Sequence, residues 1–127
     1  MGTATRGWFL CALLLVALFA PGCTARLGDF TMISNKLVKL DKVDLDSLPT
    51  RKNVVGEDIR LVELLFLPLF WNQPTIEGAV DDTLEKGGGD LITDAILTQK
   101  STFFLLGRTA GFQVKGDVVV TRTGDTR

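Results

Sequence analysis

The chain has 127 residues, of which 46% are hydrophobic, and 14 basic and 15 acidic side chains give a formal net charge of −1. This balance argues against a nucleic-acid-binding protein, which needs a basic surface, and against electrostatic attachment to an anionic membrane. Because the chain has no His and only two Cys, it cannot build an ordinary zinc, copper or haem site. Carboxylates could still bind a hard cation, but the sequence shows no EF-hand spacing, and we expect no metal and no cofactor.

An uncharged apolar run of 13 residues, residues 8–20, follows Arg6 near the N-terminus. A helix needs about 20 apolar residues to span a bilayer, so this run is too short for that role. A positive charge before it and small residues after it are typical of a secretory signal. We therefore interpret residues 1–22 as a signal peptide, with an uncleaved anchor as an alternative that the length disfavours.

The signal ends at Gly22 and Cys23, and this step resembles the lipobox of bacterial lipoproteins. The resemblance implies that Cys23 carries a diacylglycerol, that cleavage precedes it, and that two acyl chains hold the protein at the membrane. Lipoproteins retained at the inner membrane usually have Asp after the acylated Cys, so Thr24 favours the outer membrane. The alternative is ordinary cleavage after Ala25, which would release a protein without this thiol.

Removal of residues 1–22 leaves 105 residues, the length of one small domain. Cys11 leaves with the signal and Cys23 would be acylated, so no disulfide is expected. Only Arg6 is lost from the charged residues, which leaves 13 basic and 15 acidic side chains and a net charge of −2. We divide the mature chain into an acylated N-terminus and tether at 23–26, a domain at 27–123 and a polar tail at 124–127.

The first half of the domain contains two predicted strands. Apolar and polar residues alternate over residues 27–34, which predicts a strand. Residues 36–58 carry more charge and include Gly, Pro and Asn, so we interpret them as a long connection with a short extended piece near residues 37–40. Residues 61–67 predict a buried strand with Phe66 in the core, because Pro68 disfavours a helix there. We expect Phe70 and Trp71 to lie partly exposed at the sheet edge.

A helix of about three turns is predicted after Pro74. Thr75 can cap it, and Glu77 in the first turn suits the helix dipole. Its apolar face is formed by Ile76, Ala79, Val80 and Leu84. The glycines Gly87, Gly88 and Gly89 then end the helix, one of them with a positive φ.

The C-terminal part predicts a hairpin. Residues 90–98 alternate, with Leu91, Thr93, Ala95 and Leu97 on one face, and residues 101–106 continue the strand. Residues 107–111 predict a turn, and residues 112–122 have a period of two. The expected fold is an α+β two-layer domain of order β-β-α-β-β, in which one helix packs on an antiparallel sheet of about four strands.

Several stretches together resemble a group of small uncharacterised bacterial envelope lipoproteins. They are residues 28–31, residues 74–82 (PTIEGAVDD), residues 84–90 (LEKGGGD) and residues 112–119 (FQVKGDVV). The resemblance covers most of the mature chain and implies the anchor and the fold. It implies no activity.

We expect no catalytic residues. The glycines before Asp90 invite comparison with a phosphate loop, but such loops lead into a helix N-terminus, whereas these glycines follow a helix. The carboxylates of Asp81, Asp82, Glu85, Asp90 and Asp94 are expected to be solvated. Without His or a free thiol, the common nucleophile and base pairs reduce to Ser or Thr with Lys, and no motif supports such a pair.

Two classes of function follow from these features. The first is a non-enzymatic envelope lipoprotein, an interaction, sensing or assembly module that is held at the membrane through Cys23 and contacts an envelope protein. The alternative is a module that binds a small apolar ligand or a lipid through residues 64–71. For that alternative the candidate apolar lip consists of Phe70, Trp71, Phe103 and Phe104.

Overall fold

One helix packs on a five-stranded antiparallel sheet in the computed structural model, which describes residues 22–34, 44–104 and 106–121. The elements in chain order are β1 (Cys23–Ile33), a 3-10 helix (Leu45–Ser47), β2 (Thr50–Leu64), β3 (Leu67–Pro68), α1 (Ile76–Gly87), β4 (Leu91–Phe104) and β5 (Gly107–Val119). The strand order is β1-β4-β5-β2-β3. The predicted α+β fold and the β4–β5 hairpin are confirmed, and the two-residue β3 is an addition.

The core lies between α1 and the middle of the sheet. Ala79, Val80 and Leu84 of the predicted helix face are buried, and they pack with apolar side chains of the strands, among them Val54, Ile92, Ala95, Leu97, Val114 and Val118. The prediction for Ile76 is wrong, since 43% of this residue is exposed. Ile76 lies in the first turn of the helix, next to polar groups. The backbone N–H of Thr75 donates there to the Asp58 carboxylate at 2.8 Å.

Both ends of α1 are formed by local hydrogen bonds. The side-chain oxygen of Thr75 accepts from the backbone N–H of Gly78 at 3.0 Å, as an N-cap does. At the other end Gly88 has a φ of 69°, and its N–H donates to the carbonyl oxygens of Leu84 and Glu85. The N–H of Gly89 also reaches Leu84, which completes a Schellman arrangement.

Helix and strands differ greatly in length. The 12 residues of α1 extend about 18 Å at 1.5 Å per residue. The 15 residues of β2 extend about 50 Å at roughly 3.3 Å per residue, and β4 and β5 are nearly as long. The helix therefore covers less than half the length of these strands, and their other half lies beyond it.

The long connection predicted at residues 36–58 is wrong in its second part, because β2 already begins at Thr50. Its charged side chains fit a strand because this part of the sheet has an exposed face. Asn53 has a φ of 55° at an irregularity in the pairing with β5, and its N–H donates to the Asp117 carboxylate at 2.8 Å. The extended piece expected near residues 37–40 lies outside the described residues.

The strict alternation predicted for β4 is interrupted by a bulge. Asp94 has a φ of 49°, and the register with β5 shifts between Thr93 and Ile96. Because the bulge adds one residue, the side chains after it point to the opposite face from the one that simple alternation predicts. Ile92 and Ala95, which alternation places on opposite faces, are therefore both completely buried. An alternation counted along the sequence cannot include this extra residue.

The turn predicted at residues 107–111 is also misplaced, since these residues belong to β5. Phe104 lies opposite Gly107, so β5 is already paired with β4 at the first of these residues. The glycine has a packing role instead: a Cβ on Gly107 would clash with the carbonyl oxygen of Glu63 on β2. The close approach of β5 to β2 thus explains why a glycine occupies position 107, where it had suggested a turn.

The first strand begins earlier than predicted. Cys23 already lies opposite Ser101, and the pairing of β1 with β4 continues to Ile33. The prediction of a tether at residues 23–26 is therefore wrong, because these residues are in the edge strand of the sheet. Apart from Gly22, the signal segment lies outside the described residues, as does the tail at 124–127.

Candidate functional site

Four strand ends meet at the end of the sheet that α1 leaves uncovered. Here β1 starts at Cys23, β2 ends at Leu64, β4 ends at Phe104 and β5 starts at Gly107. Large exposed apolar side chains concentrate around this end of the sheet, which we call the apolar end. Its members are Leu64, Leu65, Phe66, Leu67, Phe70, Trp71, Phe103, Phe104 and Leu106. Exposed groups of this kind commonly mark an interaction surface.

The turn between β2 and β3 presents two apolar residues in a strained conformation. Leu64 lies opposite Leu67, so Leu65 and Phe66 are the two turn residues. They have φ values of 50° and 64°, the positive values that a type I′ turn requires. Asn and Gly are favoured at such positions, whereas large apolar residues are strained there. Phe66 is nevertheless 85% exposed, so burial in the domain does not offset the strain.

A second turn presents Phe70 and Trp71. The N–H of Asn72 donates to the carbonyl oxygen of Leu69 at 3.1 Å, which places the two aromatic residues at the middle of the turn. The Asn72 side-chain amide also donates to the carbonyl oxygen of Leu61 on β2, at 2.9 Å. Phe70 is 76% and Trp71 is 81% exposed. The backbone of this turn is thus held to the sheet while both rings project outward.

The tip of the β4–β5 hairpin adjoins the first turn. The N–H of Leu65 donates to the carbonyl oxygen of Leu106 at 2.6 Å, which joins the two tips directly. Phe103 and Phe104 precede this tip and are about half exposed. The guanidinium carbon of Arg108 lies 5.6 Å from the centroid of the Phe103 ring, in reach of a cation–π contact.

Basic side chains in this half of the domain have acidic partners. Arg60 lies 2.7 Å from Asp58, and the bond from Arg60 is the main cause that lowers the pKa of this carboxyl below its ordinary 3.8. Other pairs are Arg26 with Asp29 at 2.5 Å, Lys100 with Glu57 at 2.7 Å and Arg108 with Glu63 at 3.7 Å. Because these charges are paired, the surroundings of the apolar end offer little net charge.

Cys23 is exposed and lies directly beside β4. The residue before it, Gly22, is equally close to this strand, since a Cβ on Gly22 would lie 2.8 Å from the side-chain oxygen of Thr102. Thr102 is two residues before the end of β4. The chain therefore enters the described domain at the apolar end.

The structure brings the four predicted lip residues to the same half of the sheet. Phe70 and Trp71 are more exposed than expected, and Phe103 and Phe104 lie near the neighbouring tip. The prediction of Phe66 in the core is wrong, because the strand that ends at Leu64 extends beyond the helix. The exposed residues Leu65 and Leu67 belong to the region 64–71 of the alternative function, whereas the exposed Leu106 was not predicted. The sequence signal for this exposure was an apolar run too long to be covered by a 12-residue helix.

Two of the carboxylates that were expected to be solvated, those of Asp82 and Asp94, lie in different surroundings. The Asp82 carboxylate accepts from the backbone N–H of Glu57 at 2.8 Å and from Lys86 at 2.6 Å, and the bond from Lys86 is the main cause that lowers its pKa. Asp94 is exposed at the bulge. Within residues 22–34, 44–104 and 106–121, no group of three or more acidic or sulfur ligands is placed to hold a metal ion.

Two open clefts lie away from the apolar end. The larger, of about 620 Å³, is bordered by residues that include Met32, Leu48, Lys52 and Val119, and the smaller, of about 300 Å³, by residues that include Phe30 and Asp94. Neither lining contains Phe70, Trp71, Phe103 or Phe104. The predicted lip therefore does not line either of these two clefts.

Comparisons with protein families, with curated proteins and with solved structures found no match in any of the three. The resemblance to small bacterial lipoproteins therefore stays a prediction. In the part of the chain that the structure describes, which excludes the apolar run at residues 8–20, no helix has the length and hydropathy to cross a membrane.

Proposed function

We propose that this protein is a bacterial envelope lipoprotein that is held at the membrane by a lipid on Cys23. Its folded domain serves as a non-enzymatic interaction, sensing or assembly module. The observation that carries the proposal is the coincidence of two boundaries. The first strand begins at Cys23, where the lipobox-like sequence predicts the mature N-terminus. Thr24 supports the outer membrane as the destination.

The pairing of β1 supports cleavage before Cys23 over cleavage after Ala25. Cys23, Thr24 and Ala25 lie opposite Ser101, Lys100 and Gln99. Cleavage after Ala25 would remove these three residues from β1 and leave the end of β4 without its neighbour. Cleavage before Cys23 leaves all the residues of this strand in the domain.

An interaction role is supported by the position of β1 at the edge of the sheet. In the sheet that the described residues form, all 11 residues of this strand lie at an edge, and most of their side chains are exposed. An edge strand presents unpaired backbone N–H and C=O groups, which can pair with a strand of another protein. Such a partner would add to the sheet beside β1.

The lipid anchor is tested by intact-mass analysis of the mature protein from the native envelope. We expect a chain that begins at Cys23 and carries the mass of a diacylglycerol. Cys23→Ser should abolish acylation and leave the precursor uncleaved, while Cys11→Ser, the matched control, should be processed normally. An unmodified chain that begins at Arg26 would refute the proposal. Affinity purification from the same envelope, followed by mass spectrometry, identifies the partner.

A second candidate is a module that binds a small apolar ligand or a single lipid molecule. It is favoured by the exposed rings of Phe70 and Trp71 beside the ion-paired residues of the sheet. This function requires a ligand in fixed ratio to the protein. Lipid and small-molecule mass spectrometry of the purified protein tests it: one co-purifying species, lost on Trp71→Ala, supports this alternative, and its absence counts against it.

A further inference from the structure

We propose that the apolar end inserts into the surface of the lipid bilayer beside the acylated N-terminus and so sets the orientation of the domain on the membrane. The inference rests on the proposed function, which supplies the anchor at Cys23. It adds a second membrane contact, made by the folded domain itself.

The first argument is the absence of a spacer between anchor and domain. Cys23 lies opposite Ser101 in the sheet, so a lipid on this residue would hold the end of β1 at the membrane surface. A flexible tether would allow the domain to stand away from the bilayer. With the anchor inside a paired strand, the neighbouring parts of the sheet are brought to the surface with it.

The second argument is how far the hairpin tips extend. Phe104 is three residues beyond Ser101 along β4, which corresponds to about 10 Å at roughly 3.3 Å per residue. The tip that includes Leu106 is joined to Leu65 of the next turn by a backbone hydrogen bond. Amphipathic elements at membrane surfaces bury their apolar side to about 5–10 Å, which is a similar depth.

Trp71 lies at about the same position along the strands as the anchor, but at the opposite edge of the sheet. The side-chain amide of Asn72, next to Trp71, donates to the carbonyl oxygen of Leu61. Across the sheet, Leu61 lies opposite Thr109 and Thr109 lies opposite Thr102. Gly22, which precedes Cys23, packs against Thr102. Trp is enriched at the interface between lipid and water. An anchor at one edge and Trp71 at the other would define the interface, with the tips on its lipid side.

The shape of the apolar end favours a bilayer over a peptide or a small ligand. Phe66, Phe70 and Trp71 are more than three-quarters exposed, and none of the three lines either of the two clefts described above. Peptides and small ligands are usually held in concave sites. Projecting apolar side chains on backbones already held by hydrogen bonds suit a fluid phase that adapts to them.

The ion pairs near the apolar end predict that insertion does not require an anionic membrane. Since Arg26, Arg60, Lys100 and Arg108 are each paired with a carboxylate, an anionic surface gains little from this half of the domain. Insertion should therefore occur in uncharged phosphatidylcholine vesicles and should persist when the salt concentration is raised.

Trp71 provides a direct readout, because the only other Trp of the chain, Trp8, leaves with the signal. The acylated protein is reconstituted into phosphatidylcholine vesicles, with or without bromine on the acyl chains. We expect Trp71 emission to shift to shorter wavelength and to be quenched by the brominated lipid. Emission that stays at the wavelength of a hydrated Trp and is not quenched, in protein that floats with the vesicles, would overturn the inference.

Other outcomes separate the alternatives. Emission at short wavelength without quenching by bromine would mean that protein, such as a second copy, covers Trp71, and this too would overturn the inference. If the protein neither carries a lipid mass nor floats with vesicles, the anchor is refuted together with the inference. An acylated protein whose Trp71 remains in water would refute only the insertion.

Substitutions at the tips test the role of the neighbouring residues. F66S/F104S should reduce the quenching of Trp71 in the acylated protein. Phe66→Ser alone should do so in part, and it is the safer variant for folding because this side chain is 85% exposed. Phe30→Ser is the control, an exposed aromatic on β1 outside the apolar end, and it should leave the quenching unchanged. Equal quenching in wild type and in both tip variants would contradict insertion of the tips.

Discussion

The backbone N–H of Leu65 donates to the carbonyl oxygen of Leu106 at 2.6 Å, and this bond joins the turn after β2 to the tip of the β4–β5 hairpin. Residues 41 positions apart thus form one apolar surface. The pairing of β2 with β5 ends at Leu64 and Gly107, so this bond continues the contact beyond the paired strands. A shared surface that is fixed by backbone contacts can insert or bind as a unit.

The turn at Leu65 and Phe66 leads to a prediction about stability. L65N/F66G should raise the free energy of unfolding by about 1 kcal/mol or more, because both positions have positive φ and Asn-Gly adopts it without the strain of larger residues. Urea denaturation measures the change. The same variant should bind membranes less well, since it loses two apolar side chains. A variant less stable than the wild type would show that these side chains pack within the domain.

Gly88 gives a second prediction, which concerns the end of α1. Gly88→Val should lower the free energy of unfolding by about 1 kcal/mol or more, because φ is 69° and Val is strained there. A Cβ at this position would have no heavy atom within 4 Å, so the cost comes from the backbone and not from a clash. Gly88→Asn is the control and should cost less, since Asn tolerates this conformation. Equal melting temperatures for wild type and the Val variant would contradict this account.

Asp58 gives a prediction about pH. Its carboxylate accepts from Arg60 and from the backbone N–H of Thr75, and the pKa of this carboxyl is lowered below 3.8. The folded state therefore binds the proton less tightly than the unfolded state, and the stabilisation is complete above 3.8 and is lost as the pH falls through the lowered pKa. Asp58→Asn should cost about 1 kcal/mol at neutral pH.

The measurement is urea denaturation of wild type and variant at pH 7 and below the pKa of Asp58. The difference between the two proteins should shrink in acid, because the wild-type carboxyl is then protonated. Asp29→Asn is the control: its pair with Arg26 is exposed, and it should change stability by less than about 0.5 kcal/mol. A difference for Asp58→Asn that stays constant with pH would contradict the role of its charge.

The features that local chemistry controls could be predicted from the sequence. Thr75 caps the helix through Gly78, three residues away, and Gly88 receives its conformation from contacts within five residues. The period of two in β5 placed Val114 and Val118 on the buried face, because a regular strand alternates its side chains. Each of these features depends on residues that are close together in the sequence, so the local sequence is enough to predict it.

The exposure of the apolar end could be recognised only from the tertiary structure. Phe66 belongs to an apolar run that is typical of a buried strand, and a prediction from such a run assumes that something covers it. Only the assembled sheet shows that α1 extends about 18 Å beside strands that extend about 50 Å. Likewise, the bulge at Asp94 and the pairing of Cys23 with β4 depend on which strands become neighbours. Burial and register are properties of contacts between distant segments. The sequence by itself determined the fold class, the helix and its two ends, but not the extent of the strands or which of their faces remain uncovered.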